Sequence, residues 1–91
     1  MKKRLQVVIS GRVQGVNFRW ETRAKAQSLG LVGWVKNRPD RKVEAVFEGE
    51  EASLEEMLGW CHHGPRVSFV TGVNANYYNA TSEFEEFEIA Y

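Results

Sequence analysis

A chain of 91 residues with 12 basic and 12 acidic side chains carries no net charge, which argues against a polyanion partner such as nucleic acid. Its 43% hydrophobic and 26% charged content is that of a soluble globular protein, and the length supports one domain, 1–91. One cysteine excludes an internal disulfide, no stretch approaches the ~20 apolar residues of a membrane span, and the expected compartment is the cytoplasm.

Leu5, Val7 and Ile9 alternate with Gln6, Val8 and Ser10, the period of a strand with one strongly apolar face. GRVQGVNFR, 11–19, is predicted to be a turn, leading into a helical stripe of Phe18, Thr22, Ala26 and Leu29 that Gly30 ends. LVGWVKN, 31–37, reads as a strand, RPDRK as a turn with Pro39, and VEAVFEG, 43–49, as a strand with Val43, Ala45 and Phe47 on one face. Leu54, Met57, Leu58 and Cys61 take helical spacing until Gly64-Pro65 stops them. RVSFVTGVNANYY, 66–78, is a less regular strand with Gly72 as a candidate bulge, and FEEFEIAY closes the sequence with Phe87, Ile89 and Tyr91 alternating. The order β-α-β-β-α-β plus a final strand predicts an α+β fold, a ferredoxin-like sandwich of an antiparallel sheet with two helices on one face.

That architecture serves many functions, so the turn has to carry the functional reading. Gly11 and Gly15 can take φ > 0, and successive N–H groups in such a turn can converge on an anion. The helix beginning near Phe18 adds free N–H groups and a positive dipole end. Arg19 can lay a fork of donors against two phosphate oxygens, and no carboxylate precedes Glu21 to repel them. A solvated arginine on a glycine turn would explain the same residues with less chemistry. An anion site explains them better.

GRVQGVNFR resembles the signature of the acylphosphatases, G-x-V-x-G-V-x-F-R, and the similarity resumes at LGLVGWVKNRPD and at the terminal FEIAY. The resemblance covers essentially the whole chain, least well over about 68–83. It implies that backbone N–H groups of Gln14, Gly15, Val16, Asn17, Phe18 and Arg19 cradle a phosphate, that the Arg19 side chain binds it by charge, and that Asn37 positions the attacking water. Asn17 fills the variable position of the signature, so no role is implied for its side chain. Arg41 stands where the family commonly has Gly, which predicts strain in the Asp40–Lys42 turn. The implied partners are a small acyl phosphate and inorganic phosphate, with no nucleic acid or membrane partner, and the implied state is a monomer.

The chemistry suits these residues. An acyl phosphate leaves as a carboxylate, whose conjugate acid has a pKa of ~4, so departure needs no general acid. Positioning and electrostatic stabilisation can then carry the catalysis, and no cofactor or metal is expected. Asn37 does not titrate, but its amide can both accept from and donate to a water. Taken alone it would read as a turn-capping residue before Pro39; the first motif reverses that weighting.

Other features weigh less. Cys61-His62-His63 could suggest a metal, yet Cys61 belongs to the apolar stripe, and histidines at a helix C-terminus suit its dipole. Asn79-Ala80-Thr81 matches a glycosylation acceptor and is read as a turn. Lys36, Arg38, Arg41 and Lys42 could steer anions or merely solvate a hairpin. Trp20, Trp34 and Trp60 are assigned to packing. An RNA-binding domain of the same element order would need exposed aromatics on its central strands, and LQVVIS has none. A non-catalytic phosphate or acyl-phosphate binding module is the nearer alternative, but it would have no use for a water-positioning amide.

Overall fold

The computed structural model describes residues 1–91. Its elements are β1 (Lys2–Arg12), α1 (Phe18–Ser28), β2 (Val32–Asn37), β3 (Val43–Glu50), α2 (Glu51–His63), β4 (Phe69–Asn79) and β5 (Phe87–Ile89). The sheet runs β4-β1-β3-β2-β5. β1 lies antiparallel between β3 and β4, with Leu5 opposite Phe47 and Tyr77, and β2 is antiparallel to β3.

The alternation read in the sequence is the alternation of the core. Leu5, Val7 and Ile9 of β1 and Val43, Ala45 and Phe47 of β3 are wholly buried, as adjacent strands present the same face to the helices. Phe18, Thr22 and Ala26 of α1 and Leu54, Met57 and Cys61 of α2 close that layer from above. Thr22 pairs its hydroxyl with the Phe18 carbonyl at 2.7 Å, so a polar group sits in the core without an unmet bond. Phe87 of β5 stacks on Phe47 with ring centroids 5.3 Å apart.

Three expectations need correction. The sheet is mixed rather than wholly antiparallel, because β5 runs parallel to β2. β4 and β5 lie on opposite edges, so residues 80–86 cross the end of the sheet and β5 enters in the direction of β2. The irregularity at Gly72 is a bulge one residue earlier: Ser10 faces Gly72 and Gly11 faces Val70, which leaves Thr71 as the extra residue. Gly11 is required there because its φ is 125° and a side chain would collide with the Phe69 carbonyl. Trp20 is not a packing residue at all; it is 54% exposed. Trp60 does pack, edge-on against Phe18 at 5.6 Å.

The 80–86 crossover is tied down by a buried acid. Glu48, 4% exposed, accepts from the Thr81 N–H, the Thr81 hydroxyl, the Ser82 N–H and Arg4 Nε. Arg4 also reaches Glu83 and lies over the Phe84 ring. Burial alone would raise the Glu48 pKa, but these donors outweigh it and hold the carboxyl below the usual glutamate value.

Candidate active site

Between the end of β1 and the start of α1, residues 13–17 turn through two left-handed positions, Gly15 at φ 74° and Asn17 at φ 62°. Glycine enters that region freely, and asparagine is among the residues that tolerate it best. Asn17 is the helix N-cap by position, yet its side chain caps nothing. The first bond of α1 runs from the Glu21 N–H to the Asn17 carbonyl, so the N–H groups of Phe18, Arg19 and Trp20 lie ahead of the helical ladder. No acceptor within the chain takes the N–H of Gln14, Gly15, Val16 or Asn17 either. Successive free amide donors at a positive helix end are the kind of donor set that binds anions.

The turn opens into a cleft of about 180 Å³ lined by Val13, Gly15, Asn17, Phe18, Arg19, Trp20 and Asn37. The cleft unites the two sequence motifs. Asn37 ends β2, and the antiparallel register that sets it opposite Val43 brings it beside the α1 N-terminus. Its Oδ1 is shielded from solvent and has no hydrogen-bond partner in the protein, the one buried side-chain polar atom of which this is true. An unpaired buried carbonyl costs about 1–3 kcal/mol. Arg19 has no carboxylate within ion-pair distance; its guanidinium lies 5.2 Å from the ring centroid of Tyr91.

Volume does not choose the site. A hollow of about 400 Å³ beside Lys3, Glu51, Tyr77, Tyr78 and Asn79 is larger, but it is lined by a carboxylate as well as a cation and has no glycine turn. Cys61, His62 and His63 do not converge: Cys61 is in the core, its thiol pushed up to about 12 by burial, while both histidines are exposed. No three His, Cys, Asp or Glu side chains come together anywhere in the fold.

Two contacts at the site escaped sequence reasoning. The Gln14 side chain donates to the Arg38 carbonyl at 2.9 Å and the Lys42 carbonyl at 3.0 Å, tying the turn to the hairpin that carries Asn37. Tyr91, 95% exposed, meets Arg19. Nothing in local periodicity marks a glutamine that bonds across 24 and 28 residues. The hairpin turn bears out the suspicion about Arg41: it holds φ 70°, a left-handed conformation that glycine would adopt without cost. The turn still closes, through Arg38 N–H to the Lys42 carbonyl and Lys42 N–H to Asp40 Oδ1, with the Arg38 guanidinium on Asp40. Of the basic stretch, Arg38 is therefore engaged in the turn, and Lys36 sits over the Trp34 ring.

The acylphosphatase family model matches residues 5–89, which include the turn, Asn37 and every strand that positions them. The chain belongs to the acylphosphatase family. It is similar to the acylphosphatase of Rubrobacter xylanophilus, 49% identical over 96% of this chain and 79% of that one, and to that of Pelotomaculum thermopropionicum, 46% identical over 99% and 98%. The crystal structure of the acylphosphatase from Bacillus subtilis superposes with a TM-score of 0.94 at 34% identity, covering 98% of this chain and 99% of that one. This family member is thus an enzyme, and its reaction is the hydrolysis of acyl phosphates. No helix in it is long and apolar enough to cross a membrane.

Proposed function

We propose that the phosphoryl group of a small acyl phosphate binds in the 14–19 turn, with Arg19 and Asn37 as the catalytic side chains. The free N–H groups of Gln14 through Arg19 surround the phosphoryl oxygens, and the Arg19 guanidinium adds a charge-assisted fork. Asn37 Oδ1 accepts a hydrogen bond from a water and turns its lone pair toward phosphorus. A new O–P bond forms as the bond to the acyl oxygen breaks, and the electron pair departs with the carboxylate. The water's proton passes to a phosphoryl oxygen, since no titratable base lines the cleft. Inorganic phosphate is the second product and a competitive inhibitor. The protein works as a monomer, each copy carrying a whole cleft.

The observation that carries this reading is the unpaired Asn37 Oδ1. A group that costs stability when empty is satisfied by a water at the place where a nucleophile is needed. A module that only bound phosphate would gain nothing from it. Steady-state hydrolysis of acetyl phosphate tests the assignment. Asn37→Ala should lower kcat by about 10²–10³ while phosphate inhibition is nearly retained. Arg19→Ala should lose both together. Should Asn37→Ala hold its kcat and lose phosphate affinity instead, Asn37 is an anion ligand and the water assignment fails.

A further inference from the structure

Trp20 is the one large aromatic in the cleft that the phosphoryl chemistry leaves without a task. It stands in the first turn of α1, immediately after Arg19, and shares the cleft wall with Arg19 and Asn37. It is 54% exposed, makes neither of the two aromatic pairs in the protein, and is absent from the hydrophobic groups packed on the core. Its only specific partner is Arg23, one turn along the helix, whose guanidinium lies 4.4 Å from the ring centroid. Arg23 makes no ion pair, so the stacked position is its sole engagement. The guanidinium is held to one face of the indole by the ring quadrupole, and the opposite face is the one a ligand can stack on.

The phosphoryl group, held by the turn, leaves the acyl half of the substrate to exit past the cleft wall. We propose that Trp20 is the acyl-group platform of this enzyme: it selects planar, aromatic acyl phosphates over acetyl phosphate. The proposal rests on the reading that phosphate occupies the 14–19 turn. An indole offers an acetyl group little more than one methyl contact, whereas a benzoyl ring can stack on it. Such aromatic contacts favour the planar ligand by roughly 3- to 10-fold beyond simple burial.

The test is the ratio of kcat/KM for benzoyl phosphate to that for acetyl phosphate, measured for the wild type, Trp20→Ala and Trp20→Phe. Trp20→Ala should reduce the ratio by roughly 3- to 10-fold, mainly through a higher KM for benzoyl phosphate, and Trp20→Phe should keep most of it. Benzoylphosphonate, a non-hydrolysable analogue, should lose inhibitory potency against Trp20→Ala by a similar factor, while inorganic phosphate does not discriminate the variants. Circular dichroism of Trp20→Ala should match the wild type, since the ring supports no core contact. A ratio unchanged in Trp20→Ala, or an equal loss for both substrates and for phosphate, overturns the platform. Failure of the phosphate reading looks different: Arg19→Ala would then leave phosphate inhibition intact in every background.

Discussion

Removing the Gln14 amide asks whether the proposed phosphate cradle and the hairpin that carries Asn37 need to be tied together. Gln14 Nε2 donates two hydrogen bonds, to the carbonyls of Arg38 and Lys42. Those carbonyls also accept from the Arg41 and Lys42-facing Arg38 N–H groups respectively, so Gln14→Ala leaves neither without a partner. The loss is therefore that of two ordinary bonds at ~0.5–1.5 kcal/mol each, without an orphan penalty. Because one of the two is solvent-exposed, the lower half of that range applies, about 1–2 kcal/mol in all. For a domain of this size that lowers Tm by roughly 5–15 °C. The functional cost comes on top: with the tie gone, the distance between the anion cradle and Asn37 is less well held, and small misplacements are expensive in rate. Gln14→Ala should accordingly lose about tenfold or more in kcat for acetyl phosphate, by the same positioning argument. Gln14→Glu should be worse, since a carboxylate faces two carbonyls and adds negative charge beside the bound phosphate. Thermal unfolding followed by circular dichroism gives the first number and steady-state kinetics well below Tm the second. A variant that melts early but keeps its kcat would refute the claim that the tie positions the site.

Arg41→Gly should raise Tm by about 3–6 °C: relief of a left-handed residue at ~1–2 kcal/mol outweighs the added unfolded-state freedom of ~0.4–1 kcal/mol, checked by a melt of both proteins. Arg19→Lys should recover little of the activity lost in Arg19→Ala in the same hydrolysis assay, because an ammonium cannot reproduce a planar fork. Glu48 has a folded pKa below the usual value of 4.5, so its stabilisation is complete above about that pH and is lost as pH falls through the folded pKa. Urea titrations from pH 7 down to 3 should show this acid-dependent loss in the wild type and a smaller one in Glu48→Gln, which begins less stable. Cys61, buried with its thiol pushed up to about 12, should stay unreactive toward a thiol reagent until urea unfolds the chain.

Sequence alone determined the parts of this protein that rest on local spacing. The two-residue period of Leu5, Val7 and Ile9 and the helical spacing of Leu54, Met57 and Cys61 name the core faces, because side-chain direction follows from backbone geometry within one element. The glycine at 15, the absence of acid before Glu21 and the arginine at 19 mark the same turn as the proposed phosphate site for the same reason: the N–H groups and the charge belong to consecutive residues. Tertiary structure decided whatever depends on two distant segments meeting. The sheet order brings Asn37 into the same cleft as Arg19, where its Oδ1 is buried without a partner. The Gln14 tie needs carbonyls 24 and 28 residues away, and the parallel entry of β5 needs a crossover held by Glu48. Trp20 divides between the two: the stripe of Phe18, Thr22 and Ala26 already turns residue 20 away from the core, and only the fold decides what that outward face meets. Rotation of α1, set by burying Phe18, Thr22 and Ala26, turns it out into the cleft wall.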